Sequence, residues 1–497
     1  MPTPHDLIEL AYDSQLFHKL AGDWAGVVAE HLSNVEASRG RVLNWYEPPD
    51  NIRLAEAILT RAPAAEDCVA PSWDQLQSRF GELLEIILSH GNNLHDPRYV
   101  GHQVPASIPI AALFDAIGSA TNQVMAIYEM GPWATAVEEA ILARIAATIG
   151  WRTDQFAGLL THGGSLANAT AILTARNVAC PDSWTAGMAG QRSPVLVCQA
   201  DAHYSVARAA GMLGIGTDNI VAVALDERRR MDPRSLATIL RQLRADGRPI
   251  VAVCACACAT PIGAFDPLNA IADVCEDFSV WLHVDAAHGA AAAFSDRYRS
   301  LVDGLQRADS IVWDAHKMMF VPALCTFVLY RQPGVQYRTF QQSAPYLFDP
   351  SAPGMAQYDS GLRTVECTKR AAAFGVWGIW SMFGDRLFAQ LVEATFDRAR
   401  QWYQMLAEAD DFVPLHEPQA NIVAFRYLPS ALRDSSPDEV SRYQLALRRR
   451  MIQSGEFYLT STVLDGVGAL RTTIINPLTT EVELAALLDS LRRHGAV

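Results

Sequence analysis

The first sixty residues carry apolar side chains at three- and four-residue steps, as in "DLIELAYDSQLFHKLAGDWAGVVAEHLSNV". That spacing predicts amphipathic helices. "TRAPAAEDCVAPSW" (Thr60–Trp73) interrupts the pattern with Ala and Pro and reads as a linker. From about Trp73 to Arg370 the period changes. Short apolar, β-branched runs ("SPVLVCQA", "NIVAVAL", "PIVAVCACA", "VWLHVD", "SIVWDA", "CTFVLYR") alternate with helical stretches. Continuous apolar strands separated by helices predict a mostly parallel sheet covered on both faces. Beyond Arg370 a long helical stretch leads to strands near "NIVAFRYL" and "GALRTTIIN". The expected organisation is a helical N-terminal segment (1–72), a large α/β domain (73–370) and a small C-terminal α+β domain (371–497).

One strand stands out. In "IVAVCACACA" a period of two puts Cys254, Cys256 and Cys258 on one face. Zinc sites usually gather cysteine pairs through turns, at C-x₂₋₄-C spacing, and no Cys- or His-rich segment follows here. The expectation is no metal, but small side chains packed closely beneath a site at the strand's end, where open α/β sheets bind ligands.

A chain of 497 residues is long enough for two or three packed domains. Its net charge of −14 leaves no basic excess for nucleic acid. No uninterrupted apolar run is long enough for a membrane span. The opening "MPTPHDLIELAYDSQ" lacks a basic stretch followed by an apolar one, and the nine cysteines show no disulfide spacing. A reducing, cytoplasmic setting is expected.

Chemistry gathers where strands end. Asp285 closes the strand "VWLHVD" inside an apolar run, where a bare carboxylate is costly unless paired. Lys317 follows His316 just after "SIVWDA". Two readings stand: a buried Asp–Lys ion pair, or a pyridoxal phosphate site, which needs a lysine for a Schiff base and a carboxylate for the ring nitrogen. Such a site also needs a phosphate cradle. Gly163, Gly164 and Ser165 open a helix in "THGGSLANATAILTAR", and helix starts attract phosphate. His203, at the head of the helix in "AHYSVARAAG", is a candidate stacking ring.

The ordered set "THGGSLAN", "AHYSVARAAG", "ATPIGAFDPL", "WLHVDAAHG" and "ADSIVWDAHK" resembles the group II pyridoxal-phosphate-dependent amino-acid decarboxylases. Members act on glutamate, aromatic amino acids, cysteine sulfinate or 2,4-diaminobutyrate. The resemblance runs from about His95 to the C-terminus. It implies the fold-type-I architecture of pyridoxal-phosphate enzymes and a homodimer with sites at the interface. It implies decarboxylation of an L-amino acid to the amine and CO₂ through a Schiff base on Lys317. Asp285 would pair with the pyridine nitrogen, His203 would stack on the ring and Ala287 would line the opposite face. Thr260 would sit near the cofactor hydroxyl or the substrate carboxylate. Gly164 and Ser165 would hold the phosphate, with His316 on its other side. Tyr346, in the Pro/Ser/Gly-rich segment "RTFQQSAPYLFDPSAPGMAQYDSG", matches the family's Cα proton donor. Members with Phe there tend to be oxidative aldehyde synthases, so Tyr346 favours simple decarboxylation. The alternatives carried are that oxidative reaction and a lyase acting on an unusual amino acid.

The segment "NLHDPRYVGHQVPAS" resembles the family's substrate loop. His102 and Gln103 either read a polar substrate side chain or line a solvated entrance. Arg471, in "GALRTTIINP", resembles the family's carboxylate-binding arginine, with a surface arginine at a strand edge as the alternative. Trp133 either narrows the pocket or sits in the core. Ala290, Met318 and Leu166 depart from the usual family pattern without removing a catalytic group.

Overall fold

The computed structural model describes residues 6–60, 70–190, 192–340 and 356–496. The N-terminal part is helical, as its periodicity predicts. Asp13 caps the helix Ser14–Glu36 by accepting from the N–H groups of Gln15 and Leu16. Ser72 and Gln75 form a reciprocal capping box at the start of Trp73–Ser89. The rest of Thr60–Trp73 lies partly outside the described residues.

The central sheet is built from β1 (Ala157–Thr161), β2 (Val195–Gln199), β3 (Ile220–Val223), β4 (Ile250–Ala259), β5 (Leu282–Asp285), β6 (Ser310–Asp314) and β7 (Thr326–Tyr330). Their spatial order is β1-β7-β6-β5-β4-β2-β3, and a short strand, Ala264–Phe265, pairs with β4. β7 runs antiparallel to both its neighbours, and the remaining pairs along the path are parallel. Helices cover both faces, so β1, β2, β6 and β7 are buried along their whole length. Because β1, β2, β4, β5 and β6 point the same way, the segments after Thr161, Gln199, Ala259, Asp285 and Asp314 emerge at one edge of the sheet. That edge is where open α/β sheets bind ligands.

The cysteine strand departs from a simple alternation. β4 keeps the period of two through Cys254 and Cys256, but Cys258 turns left-handed, with φ at +81°. The register of the pairing with Ala264–Phe265 shifts between Ala257 and Ala259. Cys258 packs in the principal core with Ala257 and Phe265, and with Cys256 it lines the cavity described below. Cys254 packs with Cys198 and Leu196, and Cys256 with Ala259 and Ile262. All three are buried.

Beyond the long helix Asp385–Glu408, a second sheet orders β8 (Phe412–Pro414), β9 (Ile422–Tyr427), β10 (Thr460–Leu464) and β11 (Val467–Thr473) as β8-β9-β11-β10, all antiparallel. Arg471 lies on β11 between Ala424 of β9 and Thr460 of β10. It is a buried residue of an inner strand, not a surface arginine at an edge. No helix among the described residues is long and apolar enough to cross a membrane.

Candidate functional site

A cavity of about 290 Å³ opens at the C-terminal edge of the central sheet. Gly163, Gly164, Ser165, His203, Thr260, Asp285, Ala287, His316 and Lys317 all line it, as does Gln103. Nine candidates from five separate strand ends thus meet in one place.

Lys317 is a turn beyond β6. Its Nζ lies 2.9 Å from Oδ2 of Asp314, whose Oδ1 accepts the Thr326 hydroxyl at 2.6 Å. Burial works against the Lys317 charge, but Asp314 and Asp285 outweigh it and hold its pKa above the usual lysine value. Burial likewise opposes ionisation of Asp314, and Lys317 and His316 outweigh that, holding its pKa low. His316 is buried, with its ring against the backbone of Cys325 and Nε2 3.7 Å from Asp314.

Asp285 sits opposite, held by neutral donors. Its Oδ2 accepts from Asn168 Nδ2 at 2.8 Å and its Oδ1 from the Ala287 N–H at 3.1 Å. Asn168 is fixed in turn: its Oδ1 meets His283 Nε2, and its amide also reaches the Ser205 hydroxyl. His203 is the N-cap of the helix Tyr204–Met212. Its Nδ1 accepts from the Ser205 N–H and faces the Ser205 hydroxyl at 2.8 Å. Burial lowers the His203 pKa, against the pull of Asp285. Burial lowers that of His283 to about 4. Both imidazoles are therefore neutral at pH 7, and among the described residues no cation lies at hydrogen-bonding distance from the Asp285 carboxylate.

The cradle is the start of the helix Gly164–Ala179. Gly163 has φ at +107°, a left-handed value that glycine adopts freely. At Gly164 a Cβ would stand 3.1 Å from Asp314 Oδ2, so the close approach of this turn to β6 also favours glycine. No side chain caps this helix. Its first N–H groups and the Ser165 hydroxyl stand at the cavity without an acidic residue in the first turn.

Arg471, on the second sheet, does not itself line the cavity but stands behind Gln103 of its wall. Its Nη2 donates to Gln103 Oε1 at 3.0 Å, while its buried Nε has no partner among the described residues. Burial pushes its pKa down to about 10. His102 does not line the cavity. It is exposed beside Tyr458, with ring centroids 5.7 Å apart. Of the two substrate-loop candidates, then, only Gln103 is on the wall. Trp133 neither narrows the pocket nor enters the core: it is 61% exposed, edge-on to Trp377. Tyr346 lies outside the described residues.

The structure adds residues the motifs did not single out. Asn168, Asp314, His162 and His288 line the cavity, with Cys256 and Cys258 in its floor. Asp314 had a signal, its i,i+3 spacing to Lys317 after an apolar strand. Asn168 had none beyond being an amide in an Ala-rich helix.

Comparison with known proteins gives the following. Residues 59–428 match the model of the pyridoxal-dependent decarboxylase conserved domain. Human acidic amino acid decarboxylase GADL1 is 32% identical over 422 residues, covering 83% of this chain and 80% of that one. Human cysteine sulfinic acid decarboxylase is 28% identical, covering 97% and 99%. The crystal structure of mouse CSAD superposes with a TM-score of 0.86 at 27% identity, covering 96% of this chain and 99% of that one.

Proposed function

The chain belongs to the pyridoxal-dependent decarboxylases, carboxy-lyases that use pyridoxal phosphate, and from that premise we propose that its substrate is an L-amino acid with an acidic side chain. The observation that carries the substrate class is Arg471. It is a buried cation with a neutral amide as its partner and one nitrogen left over. A buried, unpaired charge is costly, and an anionic ligand relieves that cost. The relatives named for acidic and sulfinic amino acids agree with this reading.

The cavity residues fit the cofactor. An uncapped helix start and a serine hydroxyl suit a phosphate, a carboxylate held by neutral donors suits a protonated pyridine nitrogen, and a half-buried lysine lines the same cavity. Bound there, the cofactor supplies an aldehyde carbon and an electron-withdrawing ring. In the proposed assignment Lys317 Nζ is the point of covalent attachment. Asp285 holds the proton on the ring nitrogen, and Asn168 and the Ala287 N–H keep its oxygens aimed. His203 covers one ring face and Ala287 the other, excluding water. Gly163, Gly164 and Ser165 take the phosphate, with His316 beside them and Thr260 at the hydroxyl side. Arg471, steadied by Gln103, binds a carboxylate of the substrate, and Tyr346 delivers a proton to Cα. His102, outside the cavity in this chain, is assigned to the entrance. The proposed working unit is a homodimer; Leu7, Phe17 and Ile87 leave apolar surface uncovered on the N-terminal helices.

The test is parallel CO₂ release and O₂ uptake by the loaded protein. The panel is aspartate, cysteine sulfinate, glutamate, 2,4-diaminobutyrate and the aromatic amino acids. Turnover of an acidic substrate, lost in Arg471→Met, is expected. Turnover confined to neutral or basic side chains overturns the substrate class. Stoichiometric O₂ uptake replaces decarboxylation by the oxidative reaction.

A further inference from the structure

His288 is a cavity residue that the assignment above does not use. It is buried, 3% exposed, on the segment that also carries Asp285 and Ala287. Its protonation pattern is set by a chain of hydrogen bonds. The Ile474 carbonyl accepts from Asn421 Nδ2 at 3.1 Å, which fixes the amide so that Oδ1 faces His288. Asn421 Oδ1 lies 2.7 Å from His288 Nε2, so Nε2 carries the proton and donates it. Nδ1 is then a bare lone pair. That atom is buried and has no partner among the described residues. An unmet acceptor on a cavity wall needs a donor from the contents of the cavity.

Two cations act on this ring. After burial, the Lys317 ammonium is the largest influence, ahead of the Asn421 hydrogen bond, and Arg471 follows. Together with burial they drive the ring's pKa down to about 3. The imidazole thus stays neutral at any working pH. It can accept a hydrogen bond without taking the proton. Lys317 has the complementary surplus. Its amino group carries up to three protons, and among the described residues its partner is Asp314.

We propose that His288 is a positioning residue for Lys317: when the free ε-amino group swings off Asp314, the bare Nδ1 of His288 accepts a hydrogen bond from it. The amine then has two resting points, Asp314 and His288. The second keeps a free amine at the cavity wall, ready to re-attach. This rests on Lys317 being the attachment point. Lys317→Ala tests that separately, because loss of the bound cofactor's yellow absorbance in that variant is expected whatever His288 does.

Two substitutions separate positioning from packing. His288→Gln places an amide nitrogen where Nε2 was, keeping the bond to Asn421 and deleting the acceptor. His288→Asn places an oxygen where Nδ1 was, keeping the acceptor and losing the Asn421 bond. The readout is the rate at which yellow absorbance appears when pyridoxal phosphate is added to apoprotein. The proposal expects His288→Gln to reload about tenfold more slowly, the worth of roughly one hydrogen bond, and His288→Asn to stay within about twofold. A native rate in His288→Gln overturns the proposal. Equal losses in both, or the reverse order, overturn it too, since His288 then acts only through Asn421. Should either variant fail to fold, the native protein with ¹⁵N-labelled histidine decides the matter. An unprotonated Nδ1 signal must shift on loading, as its hydrogen bond to the free amine is lost. Absence of any such signal refutes the proposal.

Discussion

Replacing Lys369 by Met should destabilise the protein by about 3–5 kcal/mol, the cost of stranding a buried charge. Lys369 and Glu138 form an ion pair whose side chains are 1% and 2% exposed. The lysine Nζ lies 2.6 and 2.9 Å from the two Glu138 oxygens and donates to the Leu160 carbonyl at 2.9 Å. Glu138 accepts the Leu160 N–H at 3.1 Å. β1 is an edge strand, so Leu160 has no strand on that side, and this pair satisfies both its backbone groups. Lys369→Met leaves the Glu138 carboxylate buried without its cation and the Leu160 carbonyl without its donor. Adding Glu138→Gln should recover most of the loss. An amide supplies an acceptor for the N–H and a donor for the carbonyl, with no charge to bury. The assay is urea unfolding of apoprotein at fixed concentration, with refolding checked, for the native protein, both single variants and the double. The expected coupling between the sites is about 2 kcal/mol or more in favour of the double variant. A Lys369→Met loss below about 1 kcal/mol, or a double variant weaker than the single, would falsify the reasoning. β1 runs directly into Gly163 and Gly164, so cofactor affinity should fall with stability in Lys369→Met and return in the double variant.

Asp285→Asn should keep the cofactor bound but lower CO₂ release about ten- to hundredfold, from loss of a charged hydrogen bond of about 1.5–3 kcal/mol; native turnover would remove Asp285 from the chemistry. Iodoacetamide at neutral pH should spare Cys256 and Cys258, because burial pushes the first thiol far up and the second to about 12. Of the described cysteines, half-exposed Cys367 should react first, and peptide mapping that finds Cys258 labelled in native protein would contradict this. Stability should fall as pH drops from about 6 to about 4. Burial holds His283 and His416 near 4 and His288 near 3, so the unfolded histidines take up protons that the folded ones refuse. Asp266, raised by burial to about 6, opposes with one proton, leaving two, each worth about 1.4 kcal/mol per pH unit; a urea midpoint flat over that range would count against these burials.

The sheet and the cavity were legible because each strand is a continuous apolar run and each site residue directly follows one. Lys317, Asp285, Thr260, His203 and the two cradle glycines all occupy that position. Departures come where a local backbone event or a distant chain segment decides. Cys258 turns left-handed where the pairing of β4 shifts register, which a period of two does not encode. Arg471 reads from sequence as the family's carboxylate-binding arginine, with a surface arginine at a strand edge as the alternative. Its burial depends on β11 lying between two neighbours, which only the sheet order reveals. Asn168 and His288 carry polarity into buried positions, but the partners that give them meaning, Asp285 and Asn421, are more than a hundred residues away in the chain.

The charges of the cavity add up to a description of its contents. Lys317 and Asp314 neutralise each other at 2.9 Å. The remaining anion, Asp285, is held by an amide and a peptide N–H, and the remaining cation, Arg471, by an amide oxygen. Neutral partners orient a charge without cancelling it. Moving a charge out of water with only neutral partners costs several kcal/mol, so each site favours a ligand of opposite sign. A protonated ring nitrogen meets Asp285, and a carboxylate meets Arg471. Asp285 lines the cavity from β5, and Arg471 on β11 stands behind Gln103 of its wall. A molecule satisfying both must bridge the central sheet and the second one, as a cofactor joined to its amino-acid substrate does. Once CO₂ has left, the cofactor keeps the first contact, and the amine product loses the second wherever that carboxylate was the one released. If Arg471 holds the carboxylate that leaves, the charge balance itself favours product release. If it holds the side-chain acid instead, the product stays anchored. Inhibition by the amine product, compared between native protein and Arg471→Met, therefore distinguishes the two placements of the substrate.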